Sequence, residues 1–217
     1  MERPIAYHLR GTIMRMTPLL WSSCFFFMLA VGSIALRADD DDEAKQLKIA
    51  IAAAKKSVLD YTDKLDKKTK SPNDLATDAA PLAKQHKIEP AMKLFKPKST
   101  GGIGTGGLAA GSIELLIRDY TTKKPLAPGV VAAFRADLMQ VGHVTLVMSE
   151  LLPHYAPKKD VGPKTAAEWL KLSKEMKQGS LDFLDAVRAN NNVQVAATAA
   201  RMNTACAGCH KLFRDDK

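Results

Sequence analysis

The C-terminal half of the chain is patterned with a helical period. Phe134, Leu138, Val141, Met148 and Leu152 fall on one stripe, and Val131, Met139, Gly142 and Leu146 fall on a second beside it. Two adjacent stripes make the broad apolar face that a helix inside a bundle needs. Pro128 suits a first turn, so the spacing predicts a helix from Pro128 to about Leu152. Thr165-x-x-Glu168 reads as a capping box opening the next helix, which turns Trp169, Leu172, Met176, Phe183 and Val187 inward. The "ANNN" at 189–192 reads as a tight connection. The last helix carries Val195, Ala199, Met202, Cys206, Cys209 and Phe213 at alternating steps of four and three.

Before these helices, Leu47, Ile51, Ala54, Val58, Tyr61 and Leu65 share one face, predicting a first helix over 41–70. Acids crowd its start and lysines its end, as the helix dipole prefers. Ser71-Pro72-Asn73 is a stop signal. Residues 71–127 carry weaker patterning: short helices broken at Pro81, Pro90 and Pro97, the run "GGIGTGGLAAG", and a short helix "SIELLIRDY". Gly102, Gly104 and Gly107 satisfy G-x-G-x-x-G. With no buried strand before them and no βαβ alternation around them, they read as a flexible or ligand-capping loop, not a dinucleotide fingerprint. No strand pattern stands out anywhere. The expected fold is all-α: an antiparallel four-helix bundle with an irregular insert at 71–127.

The N-terminus changes the setting. Arg3, Arg10 and Arg15 precede the uncharged run "PLLWSSCFFFMLAVGSIAL", and small residues at Ser33, Ala35 and Ala38 precede "DDDDE". Basic head, apolar middle and small-residue exit describe a secretory signal at 1–38, leaving residues 39–217 as a single exported, periplasmic domain. The alternative is an uncleaved membrane anchor, since residues 19–36 reach the shortest spanning length of about 18 residues. With the segment removed, 28 basic residues face 22 acidic ones, a formal charge of +6. That balance favours acidic protein partners or an anionic surface over nucleic acid.

Export also reduces the cysteines. Cys24 lies inside the signal, so only Cys206 and Cys209 remain, too few for a structural disulfide framework. With His210 they spell C-x-x-C-H near the end of the last helix. Three chemistries compete. A zinc site needs two more ligands, which only His86, His143 or His154 are left to complete among cysteines and histidines. A redox dithiol belongs where a strand meets a helix, in an α/β fold. Haem attachment asks least: two thiols for the macrocycle and the adjacent imidazole for the iron, outside the cytoplasm. One covalent haem c is therefore the leading expectation. Ala196, Ala199, Ala200 and Ala205 leave a shallow helix surface on which a flat ring can lie, though alanine is also a good helix former.

The segment "VAATAARMNTACAGCHKLFR", preceded by "LDAVRANNN", resembles the end of the cytochrome c′ family, the class II c-type cytochromes. The resemblance covers roughly residues 130–215. It implies an antiparallel four-helix bundle with haem attached on the C-terminal helix and His210 as the proximal iron ligand. In that family an earlier helix carries Arg-x-x-x-Leu or Arg-x-x-x-Met over the distal side, and "FRADLMQVGHVTLVM" offers Arg135 and Met139. The resemblance casts Met139 as the sixth ligand of a low-spin iron, with His143 one turn on as its rival. Arg135 and Arg214 are candidate partners for haem propionates, and Phe213 a candidate packing contact for the ring. The family's second helix has no room in 153–163, and residues 72–127 have no counterpart in it. Members of the family often pair, so a homodimer is an expectation of the resemblance alone.

Two functions follow from a haem held this way. One is a carrier of single electrons between redox protein partners, alone or as the haem-bearing subunit of a larger assembly. The other is a five-coordinate binder of nitric oxide or carbon monoxide. Neither is an enzyme, and no arranged nucleophile, acid–base pair or phosphate loop stands out.

Overall fold

The computed structural model describes residues 25–108, 110–122 and 126–214. Among the described residues eight α-helices follow in order: α1 (Phe25–Asp66), α2 (Pro72–Gln85), α3 (Ile88–Met92), α4 (Ile113–Thr122), α5 (Val130–Ala133), α6 (Arg135–Leu151), α7 (Ala166–Arg188) and α8 (Asn192–Phe213). The fold is all-α. Among the described residues the only β pairing is an isolated bridge between Val161 and Lys164. The chain divides after Glu43 into two units, and the account below concerns the second, which begins at Ala44. Most of the predicted signal lies outside the described residues. Among those described, no helix is long and apolar enough to cross a membrane.

The expected helices of the C-terminal half are present and pack in sequence, α6 on α7 and α7 on α8. Their buried residues follow the predicted stripes: Leu138, Val141 and Met148 on α6, Trp169, Met176, Phe183 and Val187 on α7, and Val195, Ala199 and Met202 on α8. Every residue from Val141 to Leu152 is buried, as expected of a helix covered on all sides. Close approach is built in at two glycines. A Cβ on Gly142 would stand 2.6 Å from Leu184 Cδ2, and one on Gly179 would stand 2.9 Å from Met202 Cγ. Trp169 adds a polar tie, its indole N–H donating to the Leu152 carbonyl at 2.6 Å.

Helix ends follow local chemistry. The Thr165 hydroxyl accepts from the Glu168 N–H at 3.1 Å, as expected, although the Glu168 carboxylate pairs with Lys171. Asn190 takes a left-handed conformation, φ 54°, and the Asn191 side chain caps α8 by accepting from the Gln194 N–H at 3.1 Å. After α1 the chain turns through Lys68, φ 57°. Ser71 then serves less as a stop than as a start. Its hydroxyl accepts from the Asp74 N–H at 3.2 Å, and its own N–H donates back to the Asp74 carboxylate at 2.8 Å, a complete capping box for α2.

Three expectations are corrected. Pro81 does not break a helix but lies inside α2, whose residues Leu75, Ala79, Leu82 and Ala83 are buried; packing of that face outweighs the lost backbone bond. Pro90 falls in the first turn of α3, where no N–H is needed. Pro128 does not open a continuous helix. The chain turns at Gly129, φ 85°, forms the single turn α5, and breaks at Phe134 before α6 begins.

The insert is less irregular than its sequence. α2 packs on α6, and α4 lies along α8. Its glycine run is packed against the rest of the chain: Ile103, Thr105 and Leu108 are buried. The Gly107 N–H donates to the Asp137 carboxylate at 3.0 Å. A Cβ at Gly106 would fall 1.9 Å from that carboxylate, so the loop's glycines allow it to dock on the first turn of α6.

Candidate haem-attachment site

Cys206 and Cys209 are one helical turn apart on α8, which places both thiols on one face, with His210 beside them. Both cysteines are free thiols, half-buried against the core. Burial pushes the Cys206 thiol up to about 12, helped by Cys209 and Glu114, and pushes Cys209 up to about 11. Both are therefore neutral at neutral pH. Two neutral thiols three residues apart on a helix, with an imidazole next to the second, make a donor set that suits a covalently held haem.

The neighbouring wall comes from the insert. α4 packs on α8 and carries Glu114 in its first turn. The Glu114 carboxylate is held by Lys96 Nζ at 2.5 Å and acts electrostatically on Cys206 and His210. Burial lowers the His210 pKa, Glu114 opposes this, and Arg214 and Lys96 push it further down. Lys96 and Glu114 are the residues that sequence reasoning did not single out. Their only local signal was Glu114 as the acid opening an amphipathic helix.

Of the expected contact residues, Arg214 is exposed and lies electrostatically beside His210 and Glu114. Phe213 meets Trp169 edge-on, centroids 5.0 Å apart at 85°, so its ring fastens the end of α8 to α7. Arg135 is not part of this site: its guanidinium donates to the Arg188 carbonyl, at the far end of α7.

Met139 and His143 also lie away from His210. The approach of Gly142 to Phe183 and Leu184 sets the level of this part of α6 against α7, whereas Gly208, between the cysteines, approaches Leu172. Leu184 and Leu172 are separated by about a dozen residues of helix, ~18 Å along the bundle. Side chains at such different levels cannot meet at one point, so the structure does not bring Met139 or His143 together with His210. Both instead line a groove together with Leu59 and Asp66 of α1.

Among the described residues no three His, Cys, Asp or Glu side chains converge as a metal site. His86 pairs with the Ser57 hydroxyl at 3.0 Å, and the cysteines lie late in an all-α chain. The family resemblance of residues 130–215 rests on those residues alone, because comparison with protein-family models, curated proteins and solved structures finds no significant match to this chain.

Proposed function

We propose that the chain is an exported, periplasmic c-type cytochrome of the class II kind, carrying single electrons through one haem held by Cys206 and Cys209 with His210 on the iron. The observation that carries this reading is the set of two free thiols and an imidazole on one stretch of α8. Such a group supplies one-electron exchange between ferric and ferrous iron. The chain's own residues fix and shield it. Burial lowers the His210 pKa and so favours the neutral imidazole, whose lone pair a metal would need. The buried side chains of α4, Leu116 and Ile117, exclude water from the neighbouring core. Arg214 supplies positive charge beside the site, suited to carboxylate side arms. The formal +6 of residues 39–217 suits docking to acidic redox partners, with affinity falling as salt rises.

A second reading, a five-coordinate binder of nitric oxide or carbon monoxide, is favoured by one specific observation: Met139 and His143 stand far along the bundle from His210. Optical spectra of the purified ferric and ferrous protein, before and after carbon monoxide, separate the two. A low-spin spectrum indifferent to the gas supports the carrier and requires a sixth ligand other than Met139. A high-spin spectrum that shifts with gas supports the binder. A protein with no haem bands refutes both.

A further inference from the structure

The positive charge of the chain is concentrated in two stretches. Residues 84–98 carry five lysines against one acid, Glu89, and residues 156–160 add Lys158 and Lys159 against Asp160. Together they hold a formal +5 of the +6 carried by residues 39–217. Lys84, Lys87, Lys98, Lys158 and Lys159 are exposed. Among the described residues only one of the seven lysines, Lys96, is ion-paired, and its partner is Glu114. Unpaired like charges repel one another and raise a local field that draws in an anionic surface.

The fold joins the two stretches. The Tyr155 hydroxyl donates to the His86 carbonyl at 2.7 Å, and His86 stands between Lys84 and Lys87 in sequence. Lys158 and Lys159 follow Tyr155 closely enough that the backbone keeps them within ~14 Å of that bond. From Lys87 the chain runs through α3 and a 3-10 turn, Lys93–Phe95, to Lys96 and Lys98. Nearby acids are engaged elsewhere: Asp160 accepts from the Ala166 N–H at 2.8 Å, and Asp78 of α2 holds Lys70 at 2.8 Å. One edge of this surface meets the candidate haem site, because Lys96 holds Glu114, which acts electrostatically on His210. A bilayer would need large apolar side chains to bury beneath the lysines. Among the described residues beside them only Val161 is a large exposed one, which fits the face of a protein better.

We propose that these lysines form the docking surface for an acidic protein, which is the redox partner on the electron-carrier reading, on which this inference rests. Most of the surface belongs to the insert, which has no counterpart in the family that residues 130–215 resemble.

The test follows the backbone amides of the full chain by NMR during titration with a synthetic poly-glutamate peptide. Saturable shifts centred on residues 84–98 and 156–160 are expected, weakening as salt rises. Lys87→Glu/Lys158→Glu should weaken binding about tenfold or more. Lys67→Glu/Lys68→Glu changes the net charge equally at the other end of α2, ~20 Å from Lys84, and should weaken it far less. Shifts centred elsewhere, equal losses in the two variants, or equally tight binding to phosphatidylserine vesicles overturns the proposal. The colour of the same sample reports on the haem separately. A coloured chain that ignores the peptide overturns the docking surface alone, and a colourless chain that docks it supports the surface while refuting the carrier.

Discussion

Replacing Met139 by Ala separates two accounts of the iron. If methionine ligates, the substitution removes a strong-field axial donor, and a low-spin protein becomes high-spin and open to carbon monoxide. The packing register argues otherwise. Met139 lies near Gly142, which meets Leu184, and the cysteines flank Gly208, which meets Leu172. The intervening helix amounts to ~18 Å, several times the reach of a methionine side chain. The side chain is half-buried on the groove face of α6, so its truncation forfeits only part of a full methionine burial, about 1 kcal/mol. In a chain of this size that lowers the thermal midpoint by about 2–4 °C. The assay is an optical spectrum of ferric and ferrous variant and parent, with and without carbon monoxide, alongside a thermal melt. Superimposable spectra with a small loss of stability are expected. A variant that alone turns high-spin, or alone takes up the gas, refutes the register argument.

Other outcomes follow from the same geometry. Gly142→Ala drives a methyl group to 2.6 Å from Leu184 Cδ2 and 3.2 Å from Phe183 Cδ1, both on buried side chains. Overpacking of about 1–3 kcal/mol exceeds the helix-propensity gain of up to about 1 kcal/mol, so urea denaturation should show a net loss. Ser71→Ala breaks the α2 capping box and should cost about 1 kcal/mol, read by the same denaturation. Glu114→Gln removes an anion that acts on His210 and should raise the haem midpoint potential by redox titration, with Glu114→Asp restoring it. Stability should also fall with acid. Burial lowers the pKa of His86 and His143 in the folded chain, so the unfolded state binds more protons as pH drops through about 6.5. Denaturation between pH 8 and 5.5 should show this loss, and His143→Gln should flatten it.

Most of the fold was legible because α6, α7 and α8 each bury a stripe that repeats with the helical period, and periodicity is a local property. Pro81 misled for the same reason. Its local chemistry argues for a break, while the burial of Leu75, Ala79 and Leu82 on either side depends on what α2 packs against. The glycine run gave no hint of docking, since its partner Asp137 stands 30 residues away. At the candidate site, the shared face of Cys206 and Cys209, with His210 beside it, was readable from spacing, because one helical turn separates the two cysteines on α8. Met139 matched a motif, but its level along the bundle depends on how α6, α7 and α8 align. Glu114 and Lys96 reach His210 only through the packing of α4 on α8.

The central claim is covalent attachment at Cys206 and Cys209, and the direct measurement is the mass of the denatured chain after export from a host equipped for c-type maturation. The expected result is one haem retained per chain, with reduced c-type bands, and its loss in the Cys206→Ala, Cys209→Ala double variant. A colourless chain with the mass of its amino acids alone contradicts the account.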